Sequence, residues 1–250
     1  QTGLERLQSF LNGDEELISA ALEGFRRSIE RPDLPAVNEI LDLDVKGRMH
    51  YIRQACLAGM EERYKSDPSQ VLDLSDTVLE KAVAFQYTYS SNEQAWFKVC
   101  VRNRPNVVAK VLIKHVMMQV KAKKEHINGL YPLANDEEYE GVAILAVAPL
   151  LRAFPSRVNK KLSSSVLGNL LKAALRYLSD QELTNIINEK LAVKTMDVTQ
   201  HIYWLAAGIV VDFFQYEAAI DVFMGRSRNR RQILASFFND RFERRLIRDG

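Results

Sequence analysis

The chain is poor in the residues that build metal sites and disulfide frameworks, with two cysteines and four histidines among 250 residues. Cys56 and Cys100 lie in apolar patterns typical of helices and lack metal-ligand spacing. This favours buried, reduced thiols in the cytosol, and a bridge between them is the alternative. No two histidines have the H-E-x-x-H spacing that turns both imidazoles toward a zinc ion. The common zinc motifs and the disulfide-rich secreted class are therefore excluded.

Signatures of catalysis are also missing. The sequence has no G-x-x-x-x-G-K-[ST] phosphate loop and no G-x-S-x-G nucleophile elbow. His115 and His201 stand in apolar helical patterns, so we expect packed or hydrogen-bonded side chains rather than ligands or bases. We predict a protein that is not an enzyme, with no catalytic residue, no metal ligand and no cofactor.

Long hydrophobic runs are absent as well. The two most apolar stretches, residues 142–151 and 202–211, are shorter than the roughly 18–20 residues that cross a bilayer. We interpret both as buried helices and expect no membrane association. No secretory signal opens the chain, and we expect a cytoplasmic protein. Because helical periodicity begins almost at Gln1, we expect a fragment of a longer polypeptide.

The sequence does contain a regular series of apolar segments with helical periodicity, each preceded by a capping residue or a proline. Strand signals are nearly absent, so we predict an all-α fold. The short connections predict antiparallel helix pairs stacked as an α-α superhelix, a solenoid of the HEAT or armadillo kind. We treat residues 1–250 as one helical-repeat domain, with a possible subdivision into 1–125 and 136–250 around a non-helical passage at 126–135. The start signals are Asp14, Asp33, Asp67, Ser75, Asn92, Arg104-Pro105, Ser179 and Asp197.

Two groups of residues allow both a structural and a functional interpretation. Four acidic residues, Asp136, Glu137, Glu138 and Glu140, could bind a metal or act as general acids. Their position at a helix start instead favours capping of amides and interaction with the helix dipole. Trp204 lies in an apolar run and is predicted to be in the core. Trp96, beside polar neighbours, is either core or a stacking platform.

Basic residues form two candidate partner-binding faces. Along the predicted helix 105–124, a stripe about 80° wide, at 100° per residue, carries four lysines. These lysines are Lys110, Lys114, Lys121 and Lys124. In the predicted helix 229–248, Arg241, Arg244, Arg245 and Arg248 share one face. Guanidinium groups bind phosphates well, but such a face also suits an acidic protein surface or the next repeat of a longer solenoid. We favour these protein contacts over phosphate binding.

Several short stretches resemble the helical-repeat parts of large bacterial proteins, some of which carry a NACHT or other STAND-type NTPase module. The resemblance covers roughly residues 90–240, and it implies a sensing or scaffolding region with the nucleotide site in a separate domain. Without a phosphate loop, ATP binding does not transfer to this chain. The stretches are residues 92–97, 104–108, 129–133, 150–155 and 203–208.

Two functional hypotheses remain. The first is a non-catalytic protein-interaction scaffold or sensing segment of a larger intracellular bacterial protein, which binds a protein partner or other domains of the same polypeptide. The alternative is a nucleic-acid-binding helical-repeat module that uses the basic faces. A net charge of +2 makes the alternative the less favoured, because any basic surface must be local.

Overall fold

A computed structural model describes residues 3–89, 93–158, 163–225, 229–232 and 234–235. This part of the chain is all-helical and contains no strand, which confirms the predicted class. A 3₁₀ turn, Glu137–Tyr139, precedes α10, and a π-helical turn, Ser163–Leu167, precedes α11. The helices are α1 (Gly3–Phe10), α2 (Glu15–Ser28), α3 (Val37–Val45), α4 (Arg53–Ser66), α5 (Ser69–Leu72), α6 (Asp76–Tyr87), α7 (Ala95–Asn103), α8 (Pro105–Lys121), α9 (Leu130–Asn135), α10 (Glu140–Ala153), α11 (Gly168–Tyr177), α12 (Asp180–Leu191), α13 (Val198–Val211) and α14 (Phe213–Met224).

Two compact units divide the chain, residues 1–118 and 119–250. In the first unit, α4 packs against α2, α5, α6 and α7, while α3 packs against α6. In the second unit, α11 packs against α9, α10, α12 and α13, and α13 also holds α14. Every helix in the described parts of the chain is too short or too polar to span a bilayer.

Side-chain caps start many of the helices at the positions that the sequence indicates. Asp14 accepts a hydrogen bond from the Leu17 amide at 3.0 Å, and Asp197 accepts one from the Gln200 amide at 2.9 Å. Such caps satisfy amides of the first turn that have no partner within the helix. Asp33 is an exception, because its carboxylate pairs with the Arg31 guanidinium instead of capping α3.

The passage predicted to be non-helical at 126–135 contains a helix, α9. Gly129 precedes it in the left-handed region, with φ +88°, a conformation that glycine adopts without steric cost. Pro132 is the third residue of α9, where the missing amide hydrogen costs no intrahelical bond. At the other end, the Asn135 side chain donates to the Tyr131 carbonyl at 2.8 Å. The prediction was wrong because glycine and proline here start a helix rather than interrupt one.

Basic side chains repeatedly close the carboxyl ends of neighbouring helices. The last carbonyls of a helix lack partners within it and carry partial negative charge, so a cation there is stabilising. Donor and acceptor are 32–38 residues apart in these contacts. Arg63 donates to the Arg26 carbonyl (2.8 Å), Arg104 to that of Leu72 (2.5 Å), Arg53 to that of Thr88 (2.6 Å) and Lys190 to that of Arg152 (2.7 Å).

Gly59 allows α4 to approach α2 closely. A Cβ atom built on Gly59 would lie 1.9 Å from the Phe25 carbonyl oxygen, which belongs to the α2 backbone and cannot rotate away. Gly59→Ala is therefore expected to lower the free energy of unfolding by about 1–3 kcal/mol, the usual cost of overpacking. Urea unfolding at neutral pH measures the change.

Gly24, on the exposed side of α2, is the matched control for this substitution. A Cβ there would meet no atom within 4 Å. Gly24→Ala should leave stability unchanged or raise it by up to about 1 kcal/mol, because alanine favours the helix more than glycine does. Equal melting of both variants and the parent would show that α2 and α4 do not pack this closely.

Candidate functional site

Both cysteines are free and buried in the first unit. Burial raises the pKa of the Cys56 thiol to about 11 and that of the Cys100 thiol to about 12. The Cys56 thiol also donates a weak hydrogen bond to the Ser28 carbonyl, at 3.7 Å. Because the thiolate is the reactive form, these environments suit small core residues rather than nucleophiles.

The histidines of the apolar helices pack against aromatic rings, as predicted. His115 is buried and stacks on Tyr87, with ring centroids 5.4 Å apart and an interplanar angle of 7°. His201 stacks on Phe223 with centroids 4.6 Å apart. Among the described residues, no three His, Cys, Asp or Glu side chains converge as candidate metal ligands.

The acidic group before α10 acts as a helix start. Asp136 accepts a hydrogen bond from the Glu138 amide at 3.0 Å, and Glu137 pairs with the Arg176 guanidinium at 2.7 Å. The Asp136 contact confirms the capping interpretation. The tryptophan left open by the sequence also belongs to the core, since Trp96 is fully buried and its indole N–H donates to the Gln94 side-chain oxygen at 2.6 Å.

The first two lysines of the predicted stripe differ in their surroundings. Lys110 is exposed and forms an ion pair with Glu80 of α6. Lys114, one turn later, is half-buried. The Glu80 carboxylate neutralises Lys110, so within this unit the stripe presents less positive charge than its sequence indicates.

The two later lysines belong to the second unit, and only one of them is in the helix. α8 ends at Lys121, whereas the helix was predicted to continue through Lys124. Lys123 adopts a left-handed conformation with φ +60°, which ends the helical path before Lys124. The prediction of a four-lysine helical stripe is therefore wrong at Lys124. The other candidate face, Arg241, Arg244, Arg245 and Arg248, lies outside the described residues.

Large apolar side chains are exposed in the first unit, on the loop between α3 and α4. Met49 is 57% exposed and Tyr51 is 78% exposed. The Tyr51 ring stacks on His50 with centroids 4.6 Å apart, so two aromatic rings lie side by side on this loop. Amphipathic aromatic side chains of this kind are typical of protein interfaces.

A second exposed apolar surface lies on α14, in the other unit. Phe214 is 88% exposed and Val222 is 64% exposed, and Ala218 lies between them in the helical register. These three residues, spaced four apart, share one side of the helix, and we call them the α14 face. Phe213 packs edge-on against Phe214, with ring centroids 5.7 Å apart. Contiguous exposed apolar side chains are characteristic of binding surfaces.

Comparison with known proteins gives no identification. No family model, no curated protein and no solved structure matches this chain. Functional assignment therefore depends on the residues themselves.

Sequence reasoning missed both exposed apolar surfaces. Phenylalanine and valine in a helical pattern usually indicate core, and the sequence alone does not show which side of α14 faces the rest of the unit. A signal was nevertheless present, because Phe214, Ala218 and Val222 lie opposite Tyr216 and Ile220 at 100° per residue, so α14 is apolar on two sides. Such a helix must be covered on both sides or expose one of them.

Proposed function

We propose that this chain is a non-catalytic protein-interaction scaffold or sensing segment of a larger, cytoplasmic bacterial protein. The observation that carries the proposal is the exposure of large apolar side chains in each unit, at Tyr51 in the first and at Phe214 in the second. Isolated exposed apolar residues are common, but the stacked His50–Tyr51 pair and the three-residue α14 face favour protein contact.

Stacked helix pairs of the HEAT kind are part of the proposal. It is supported by the recurring contact between a basic side chain and a helix end 32–38 residues away. A repeated separation of this size is typical of two-helix repeats, in which each pair contacts its neighbours. The resemblance to the helical-repeat parts of bacterial NACHT or STAND-type proteins also supports the proposal, because it implies a sensing or scaffolding region.

A nucleic-acid-binding role is the less favoured alternative. Several basic groups of the described chain already bind carboxylates or carbonyls, among them Lys110 with Glu80 and Arg176 with Glu137. Phosphate tracking needs several cations free to replace counterions. Lys121, Lys123 and Lys124 are exposed in the second unit, and these three neighbouring cations make a small electrostatic surface.

Site-specific photo-crosslinking tests the proposed function. A photo-reactive phenylalanine analogue at Tyr51 or Phe214, in the full-length protein within its native cells, is expected to give a discrete adduct with a second polypeptide or with another domain of the parent protein. The aromatic analogue preserves the size of the side chain, so folding should be unaffected. Gel mobility and mass spectrometry identify the adduct.

Gln54, which is exposed on α4 close to Tyr51, is the matched control position and should give little adduct. Adducts that disappear after nuclease treatment would support the nucleic-acid alternative. The absence of any adduct at both aromatic positions would contradict the proposed interaction role.

A further inference from the structure

The α14 face forms a ridge along a helix whose opposite side packs against the rest of the second unit. Tyr216 and Ile220 point into the unit and are buried. The Tyr216 hydroxyl donates to the Asn188 side-chain oxygen of α12 at 2.8 Å, and its ring lies against Gly208 of α13. The exposed side of α14 is thus presented on a fixed support.

Alternating sizes along the ridge give it a shape that suits another helix. Phe214 and Val222 project into solvent at its two ends, and Ala218 leaves a depression between them. Side chains of an approaching helix fit such depressions when ridges pack into grooves. Residues four apart on both helices form this type of contact.

Charged residues within α13 and α14 have one sign. From Asp197 through Met224, the sequence has four acidic residues and neither lysine nor arginine. Glu217 and Asp221 are exposed and, at 100° per residue, they border the α14 face along one edge. No cation of α13 or α14 neutralises them. Arg230, which follows α14, lies over the Phe223 ring, 4.1 Å from its centroid, and at 100° per residue Phe223 is on the side of the helix away from the α14 face. The surface is therefore apolar with an acidic border.

We propose that the α14 face binds an amphipathic helix of a partner protein whose apolar ridge is bordered by arginine or lysine. The apolar ridges would supply affinity, and the acidic border would select the basic partner and its orientation. This inference rests on the proposed interaction function and names the surface and the partner chemistry for it.

A charge-swap experiment tests the proposal on the intact 250-residue chain. The probes are two fluorescent synthetic helical peptides of about 18 residues, with one leucine ridge bordered by arginine in the first and by glutamate in the second. Fluorescence anisotropy is expected to show saturable binding of the arginine peptide and binding at least about tenfold weaker for the glutamate peptide. Glu217→Lys with Asp221→Lys should reverse this preference.

Serine substitutions in the α14 face test the contribution of its apolar side chains separately from that of the acidic border. Phe214→Ser with Val222→Ser should weaken binding of the arginine peptide at least about tenfold, while the exposed side chains leave the melting temperature nearly unchanged. Phe10→Ser, which removes an equally exposed phenylalanine of α1, is the matched control and should bind like the parent. Undiminished binding to the Phe214/Val222 variant, or no binding of the arginine peptide to the parent, overturns the proposal.

Other occupants of the face give different results. If sedimentation shows a dimer that Phe214→Ser converts to monomer, the occupant is a second copy and the proposal is wrong. If Arg241→Glu with Arg245→Glu strengthens peptide binding at least about tenfold, the chain's own arginine-rich end competes for the face, which also overturns it. Failure of these peptide tests together with a polypeptide adduct at Tyr51 would refute this inference and leave the proposed function standing.

Discussion

Trp204→Ala is expected to lower the free energy of unfolding by roughly 3–5 kcal/mol, the usual penalty for deleting a large buried aromatic side chain. Trp204 is fully buried in α13, which packs against α11, α12 and α14. Surrounding helices relax only partially around so large a cavity, so the lost contacts are not regained. Chemical denaturation at neutral pH, with circular dichroism at 222 nm as the probe, measures the change.

Trp204→Phe is the matched variant, because it keeps most of the apolar volume. The indole N–H of Trp204 has no hydrogen-bond partner among the described residues, so phenylalanine also removes a buried donor that costs about 1–3 kcal/mol. The phenylalanine variant should therefore be much more stable than the alanine variant. If both melt like the parent, Trp204 is not a core residue of the second unit.

The sequence was sufficient to predict the helical class and much of the core, because both depend on local patterns. In the apolar run 202–211, the residues up to Leu205 that were expected to be buried are buried. Ile209 and Val210, also expected in the core, are only half-buried. They lie in the last turn of α13, and an apolar run carries no information about where the neighbouring helices stop covering it.

The remaining features depend on contacts between distant residues. Nothing in the sequence around Gly59 indicates that α2 packs against it. The cations at four helix ends come from residues more than thirty positions away. Lys123 is a good helix former by propensity, so its left-handed conformation gives no signal in the sequence. The α14 face was missed for a related reason, since exposure is a property of the packed unit and not of the helix alone.

His115 is expected to make the first unit sensitive to acid. Burial lowers the pKa of its imidazole from 6.5 to about 4. The unfolded chain thus binds a proton at this residue below about pH 6.5, while the folded chain binds it only near pH 4. Above pH 6.5 this group therefore does not lower the free energy of unfolding. As the pH falls from 6.5 toward 4, the free energy of unfolding decreases by roughly 3 kcal/mol in total.

His115→Leu should remove this loss of stability in acid, because leucine fills the site without a titratable group. Neither imidazole nitrogen has a hydrogen-bond partner among the described residues, so the substitution removes no hydrogen bond, and the lost stacking on Tyr87 is the same at both pH values. The quantity to measure is the difference in unfolding free energy between variant and parent at pH 7 and at pH 4, by urea denaturation. Carboxylates such as Asp33, whose pKa is lowered by the Arg31 guanidinium, destabilise both proteins equally in acid and cancel in this difference.

The exposed His126 provides the matched control for the loss of one histidine. We expect the advantage of His115→Leu over the parent to grow by roughly 3 kcal/mol between pH 7 and pH 4, and we compare this change with that of His126→Leu. Equal changes for the two variants would mean that the folded chain binds a proton at His115 as readily as the unfolded chain does. The stacked arrangement with Tyr87 would then be open in solution, and the core of the first unit would not extend to the middle of α8.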